Sequence, residues 1–293
     1  MVSEFFEAVG FGLVTASVIA LGAVSLSLQI SVTNYINFAY GDLMTLGAYY
    51  ALVFDTGLHL NFYLAVLLAG IALGITFVLM HIAVLQPFVR SGARVLTLLV
   101  VTIGISFVVQ NVIILIWGTS AYRYTVDVGN ALHLGPFVLT AGDIVIFGTS
   151  VLLLIALQLF LKYTKFGKAL RATSNNKDLA MSSGINTDLI THITWGISGF
   201  FAAIAGVALA IEENNLRPFE GFNELLIIFS AIILGGIGRQ TGALVGSLVI
   251  GLAISISAIY LPSAYNSVIA FALLVLVLLL RPQGIFAGRE VAD

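Results

Sequence analysis

The chain has 293 residues, of which 60% are apolar and 9% are Asp, Glu, Lys or Arg, with a net charge of −2 and no cysteine. A soluble domain carries roughly 25% charged residues, so the composition excludes a soluble enzyme, a nucleic-acid binder and a disordered chain. The missing cysteines exclude a disulfide framework and a thiolate metal site, while the apolar content suffices for about eight or nine crossings of roughly 20 residues each.

Apolar runs bounded by charged or turn-rich breaks predict spans at about 8–30, 34–54, 62–85, 95–117, 143–161, 190–211, 222–234, 243–260 and 266–280. The opening octet holds Glu4 and Glu7 but no basic residue. A secretory signal peptide starts positive, so the first run is expected to be a retained helix. Runs this long exceed the roughly 9–11 residues of a membrane strand. The expected fold class is therefore all-α, a polytopic transmembrane bundle of about eight or nine segments forming one domain over 1–293.

The second segment is the least lipid-like, because Asn34, Asn37, Tyr40 and Asp42 occupy its first half. Asp42 is the only acid placed well inside a predicted span. Ionisable residues there usually face the bundle interior or a pathway, so a buried acceptor or cap and a pathway residue both stand as readings. The seventh segment is short and runs into Gly235-Gly236-Ile237-Gly238. Three glycines in four residues destabilise a helix, and broken backbone at membrane depth needs protein or a water-filled cavity to satisfy it. One segment here is thus expected to be re-entrant or broken. Each half of the chain carries one interrupted segment, the weak symmetry found in transporters built from repeats.

With nine crossings and the N-terminus outside, the inner loops collect Arg90, Arg94, Lys162, Lys165, Lys168, Arg171, Lys177, Arg239, Arg281 and Arg289. Only Arg123 and Arg217 fall outside, which obeys the positive-inside rule. The C-terminus is then cytoplasmic. An outer loop at about 118–142 contains Tyr122, Arg123, Tyr124, Asp127 and Pro136. An inner loop at about 162–189 holds good helix formers from Gly167 to Met181, with Gly184 as a helix stop. That loop reads either as a topology anchor or as an amphipathic helix with a partner.

No catalytic constellation emerges. Gly167-Lys168 lacks the rest of a phosphate loop. His59, His81, His133 and His192 lack metal-ligand spacing and are expected at loops or interfaces. Gly196-Ile197-Ser198-Gly199 resembles the motif of rhomboid-type intramembrane proteases, but no histidine follows His192 to serve as base. Those small residues, like Gly242 and Gly246, read better as close helix packing. Neither a catalytic nor a metal site is expected.

Three blocks in order resemble the permease subunits of ABC importers in the branched-chain amino acid and urea or amide uptake group. They are Ile36-Asn37-Phe38-Ala39-Tyr40-Gly41-Asp42 with Leu46-Gly47-Ala48-Tyr49; Leu170-Arg171-Ala172 through Lys177-Asp178-Leu179-Ala180 to Gly184-Ile185-Asn186-Thr187; and Leu234-Gly235-Gly236-Ile237-Gly238 with Gly242 and Gly246, closed by Arg281-Pro282-Gln283-Gly284. Tyr40 stands where that family often has histidine, and Asp42 where it often has glutamate. The resemblance implies a transmembrane permease in a prokaryotic plasma (inner) membrane. It also implies a second related permease subunit, two cytoplasmic ABC ATPase subunits and an extracytoplasmic solute-binding protein as partners, with ATP and Mg bound on the ATPases and no cofactor on this chain. Asn37, Tyr40, Gly41, Asp42, Thr45, Gly235, Gly236 and Gly238 become candidates for the substrate pathway. Arg171, Lys177, Asp178, Ala180, Gly184 and Ile185 become candidates for coupling to an ATPase. Composition alone admits a secondary transporter, which would need ionisable residues at the membrane midplane.

Overall fold

The computed structural model describes residues 2–126, 129, 131–134, 137–262, 265–280 and 284–285. Asp127, Pro136, Arg281, Pro282, Gln283 and Arg289 lie outside them. Two long antiparallel helices form the centre, α1 (Val2–Thr33) and, later in the chain, α9 (Thr187–Glu212). From Val14 onward nearly every residue of α1 is buried, as expected of a helix that is apolar on all sides. Several of its hydroxyls are satisfied locally, Ser25 and Thr33 donating to the carbonyls of Leu21 at 2.8 Å and Gln29 at 2.9 Å, whereas the buried Ser27 hydroxyl has no partner among the described residues. Thr15 Oγ1 donates to Glu212 at one end of the pair and Gln29 meets Ser198 nearer the other.

Around this pair, the short helix α2 (Tyr40–Leu52) runs on into a wide π-type turn over Val53–Gly57. Helix α3 (Phe62–Met80) continues through a second such turn (His81–Leu85) into α4 (Gln86–Arg90). Then come α5 (Val95–Trp117), a two-stranded antiparallel hairpin β1 (Ala131–Leu134) and β2 (Phe137–Thr140), and α6 (Ala141–Tyr163). Two small helices, α7 (Lys165–Asn175) and α8 (Lys177–Ser182), precede α9. Helices α10 (Glu220–Gly235), α11 (Gln240–Ser257) and α12 (Asn266–Leu280) follow it. One continuous apolar core runs from Val14 on α1 to Ala270 on α12.

Among the described residues, six helical stretches are long and apolar enough to cross a membrane, and α12 is a shorter apolar helix. Those of α3, α5 and α6 leave most of their residues outside the core, with Ile75, Leu115 and Leu152 among the exposed side chains. A helical membrane bundle with nearly bare apolar flanks is what the composition demanded. The second and seventh expected spans differ from their sequence boundaries. Helix α2 has 13 residues and begins only at Tyr40, and α10 has 16; both fall short of the roughly 20 that cross alone. Both instead fill the interior, and α2 is buried at all but one of its positions.

The pairing of α10 with α11 explains the glycine spacing. A Cβ on Gly242 would sit 2.3 Å from the Gly235 carbonyl oxygen, and one on Gly246 would sit 2.0 Å from that of Ala231. These residues serve backbone-to-backbone packing. The loop around 118–126 is tied down at the same end as the α9–α10 connection. Tyr122 and Leu216 exchange backbone hydrogen bonds of 3.0 and 2.9 Å. Asp55 accepts from the Thr125 N–H at 2.9 Å and its hydroxyl at 2.7 Å. Tyr124 donates to the Ala48 carbonyl at 2.9 Å, and burial, reinforced by Asp55, pushes its phenol well above the ordinary range.

Candidate functional site

Helix α1 stops at Thr33, and Asn34 takes a left-handed conformation with φ 57°. The peptide from 34 to 39 is not helical, so its polar groups need partners from neighbouring elements. Asn37 provides the first. Its Oδ1 accepts from the Ala39 N–H at 3.1 Å, and its Nδ2 donates to Gln29 Oε1 on α1 at 3.1 Å. Gln29 Nε2 reaches Ser198 on α9 at 3.4 Å, and Ser198 donates to the Ser25 carbonyl at 2.9 Å. The Tyr40 hydroxyl meets Ser25 Oγ. Thus the break before α2 is held by a polar network joining α1, α2 and α9. Ser198 serves there as a structural donor, in keeping with the packing reading of its motif.

Asp42 is fully buried one turn further on. Its carboxylate accepts from Ser106 Oγ and, at 2.9 Å, from Gln110 Nε2, both on α5. Thr102, Ser106 and Gln110 are buried polar residues at four-residue intervals, so they form one stripe facing α2. Neutral donors answer the carboxylate, and no Lys, Arg or His among the described residues bridges it. Thr45 closes the other side of α2: its Oγ1 accepts the Gly221 N–H at 2.9 Å and donates to the Gly41 carbonyl at 3.2 Å. That bond satisfies one of the orphan N–H groups in the first turn of α10.

The second interruption follows α10. Gly236 and Gly238 adopt φ values of 109° and 78°, a region open mainly to glycine. Gly238 lies 3.8 Å, measured from its ideal Cβ position, from the Ser31 backbone near the end of α1. The Ile285 N–H donates to the Leu234 carbonyl at 2.9 Å, and the Phe38 and Phe229 rings pack at 5.3 Å. The two interrupted segments are therefore neighbours at one end of the bundle. The candidate residues divide: Asn37, Tyr40, Asp42 and Thr45 are buried and partnered within the chain, Gly41 and Gly235 make close backbone contacts, and Gly236 and Gly238 form the break itself. Ile237 projects between them, 55% exposed.

Near that end the expected helix over 167–181 is two helices. Asn176 is extended and its Oδ1 accepts the Leu179 N–H at 2.9 Å, capping a fresh start at α8. Helix α8 ends with Gly184 at φ 83°, where the Gly184 and Ile185 N–H groups bond the Met181 and Ala180 carbonyls at 2.9 and 3.0 Å. This is the paired Schellman pattern, and it requires the residue at 184 to be left-handed. Arg171 is exposed, and its guanidinium donates to the Leu161 carbonyl at 2.7 Å, binding α7 to the last turn of α6. Ala180 is buried and Ile185 half-buried, whereas Lys177, Asp178 and Gly184 are exposed. The sequence reading missed Leu179 and Met181, which are 65% and 49% exposed on the same short helix.

Asp188 links this region to the 86–94 loop, 3.0 Å from Arg90 and 4.0 Å from Lys177. All three side chains are substantially exposed, so the pairs contribute at most about 1 kcal/mol. Asp188→Asn is expected to leave the thermal midpoint of the purified protein within a few degrees of the parent, and a large drop would contradict this placement. His81 is buried and stacked on Trp195 with ring centroids 4.7 Å apart. Among the described residues no group of three or more His, Cys, Asp or Glu could hold a metal ion.

A helical bundle with two broken segments packed together is an arrangement found in membrane transporters. The family described as branched-chain amino acid transport system permease component matches residues 8–278. The high-affinity branched-chain amino acid transport system permease protein LivH of Escherichia coli K12 is 32% identical, covering 98% of this chain and 97% of the relative. BraD of Pseudomonas aeruginosa, carrying the same description, is 31% identical over 96% and 95% of the two chains. A probable LivH of Methanocaldococcus jannaschii is 31% identical over 93% and 90%. The solved structure of PsaBC from Streptococcus pneumoniae in complex with Fab shares the fold, with a TM-score of 0.53 and 13% identity over 98% of each chain. The chain belongs to the family of branched-chain amino acid transport permeases.

Proposed function

We propose that this chain imports branched-chain or closely related small amino acids as the permease subunit of an ATP-driven transporter. The observation that carries the reading is its near full-length match to permeases of that description. Urea and short amides are the next substrate classes. The whole chain acts as one permease domain beside a second related permease. Two cytoplasmic ATPases bind ATP and Mg, and an extracytoplasmic protein delivers the solute. The N-terminus is outside and the C-terminus cytoplasmic, because Arg90, Arg94, Lys162, Lys165, Lys168 and Arg171 gather in the 86–94 and 162–175 region. A secondary transporter is disfavoured by family and by the fate of Asp42, whose carboxylate is occupied by two neutral donors.

In this mechanism the solute passes along the face where the two interrupted segments meet. Asn37, Tyr40, Asp42 and Thr45 keep the 34–42 backbone rigid, so the unwound peptide presents a fixed surface. Gly236 and Gly238 supply the matching irregular backbone. ATP-driven closure of the ATPases pushes on α8, and the tight turn at Gly184 transmits that push to α9, one of the two central helices. Alternating exposure of the passage follows from the rocking of the bundle. Lys177, Asp178, Leu179 and Met181 form the docking surface, while Arg171, Ala180 and Ile185 tie it to the bundle.

Leu179→Asp with Met181→Asp is expected to weaken ATPase co-purification by about tenfold or more, roughly 1.4 kcal/mol. Gly184→Val is expected to leave the ATPase bound but abolish uptake while basal ATP hydrolysis continues, because valine resists the left-handed conformation. Full uptake in the Gly184→Val protein would overturn the coupling route.

A further inference from the structure

Helices α6 and α11 both lie against α1 and leave an apolar groove of about 310 Å³ between them. Its floor is low because α1 carries the small, buried Ala16 and Ala20 there. Ile155 and Leu159, both exposed, form the α6 wall, and Leu244 and Leu248 line the α11 side. On α6 the lining runs from Phe147 to Leu159, about 18 Å at 1.5 Å per residue. One leaflet is half of a hydrocarbon core of about 30 Å, so the groove matches the reach of one acyl chain.

The groove leads to a group of cations. The α6 row that lines it continues to Lys162, four residues beyond Gln158 and three beyond Leu159. The chain then turns into α7 at a tightly packed corner. The Phe160 and Phe166 rings lie 5.7 Å apart, and Thr164 Oγ1 accepts the Gly167 N–H at 3.1 Å. A Cβ on Gly167 would sit 1.8 Å from the Leu161 carbonyl oxygen. That crossing holds α7 against the last turn of α6 and keeps Lys165 and Lys168, three apart on one helix face, at the same end as Lys162.

All three lysines are exposed, and no carboxylate among the described residues lies within ion-pair distance of them. Arg90 and Lys177, by comparison, share Asp188. Lys162 Nζ lies 5.3 Å from the centroid of the exposed Tyr163 ring, an aromatic residue of the kind enriched at membrane interfaces. An acyl-length apolar slot and unanswered positive charge therefore meet at the inner end of α6.

We propose that the groove holds one acyl chain of an anionic phospholipid from the inner leaflet, with its headgroup on Lys162, Lys165 and Lys168. Basic clusters just cytoplasmic of a membrane helix attract anionic headgroups, so charge selects this lipid over a zwitterionic one of the same chain length. The inference takes the orientation given under the proposed function and is independent of which solute is carried. Its site is separate from the docking surface on α8, where Leu179 and Met181 are the exposed side chains.

The complete transporter in detergent is equilibrated with equal amounts of dioleoyl phosphatidylglycerol and dioleoyl phosphatidylcholine, and retained lipid is counted by native mass spectrometry. Retention of phosphatidylglycerol about tenfold or more above phosphatidylcholine is the expected result. Combining Lys162→Gln, Lys165→Gln and Lys168→Gln is expected to lose one phosphatidylglycerol for each copy of this chain. The triple Lys→Arg variant at the same positions is expected to keep it, because the charge is preserved. Leu159→Trp, which narrows the groove from its exposed wall, is expected to lose the lipid while every subunit remains. Equal retention of the two lipids overturns the proposal, as does unchanged phosphatidylglycerol in the glutamine or the tryptophan variant. Loss of the ATPase or of the second permease from either variant overturns it too, since the lysines or the groove would then belong to a protein partner. ATP-driven uptake by the parent complex tests the importer reading separately.

Discussion

Asp42→Ala is expected to reduce ATP-driven uptake at least tenfold while the transporter still assembles. The substitution removes the acceptor that two buried donors, Ser106 Oγ and Gln110 Nε2, share among the described residues. A buried donor left without an acceptor costs about 1–3 kcal/mol, so the contact between α2 and α5 loosens where the chain is already interrupted. Helix α2 is too short to hold its position by length, with 13 residues starting directly after a non-helical stretch. Asp42→Asn keeps the shape and one acceptor oxygen, and is expected to fall between Ala and the parent. Initial uptake rates for the three proteins at matched transporter density check this. Unchanged kinetics in Asp42→Ala would restrict Asp42 to a dispensable structural contact.

Gly221→Val is expected to prevent accumulation of folded permease altogether. A Cβ at 221 would lie 2.0 Å from the Gly41 carbonyl oxygen and 2.6 Å from Thr45 Oγ1. The first of those atoms is backbone in a packed helix, so relief requires α2 and α10 to separate. Overpacking costs roughly 1–3 kcal/mol where side chains can adjust, and here the obstacle cannot rotate away. Separation also breaks the Thr45–Gly221 hydrogen bond that caps α10. Gly148→Ala serves as control, because nothing lies within 4 Å of its added Cβ. Membrane yield and thermal midpoint of the purified protein separate the two, and a normal yield of Gly221→Val would contradict the close crossing.

Much of this arrangement is legible in the sequence because a membrane interior makes polar residues conspicuous. Asp42 and Asn37 stand out within an apolar run, and the Gly235–Gly238 cluster announces a break that the structure contains. Gly184 reads as a helix stop for the reason it is one: a left-handed turn favours glycine. Other features were hidden by the same reasoning. Thr102, Ser106 and Gln110 are isolated polar residues in a strongly apolar helix, and only their four-residue spacing marks them as a stripe. The burial of Asn37 and Tyr40 against Gln29 and Ser25 depends on how α1 and α2 fold back on each other, which composition does not encode. Asn176 closes the run Thr173-Ser174-Asn175-Asn176, residue types that favour caps over helix interiors, but a reading of 167–181 as one stretch of helix formers passed over that local signal and so missed the split of α7 from α8. Arg171 enters the sequence reading as a basic inner-loop residue and, by resemblance, a coupling candidate, and neither reveals that its guanidinium donates to a backbone carbonyl of α6.

The central claim is that transport is driven by ATP hydrolysed on partner subunits and delivered through α8 to the packed breaks. The most direct measurement is accumulation of radiolabelled leucine in proteoliposomes holding the complete transporter and its binding protein, with ATP supplied on the ATPase side. Accumulation that requires ATP and persists when proton and sodium gradients are collapsed is the predicted result. Accumulation driven by either gradient without ATP would contradict it.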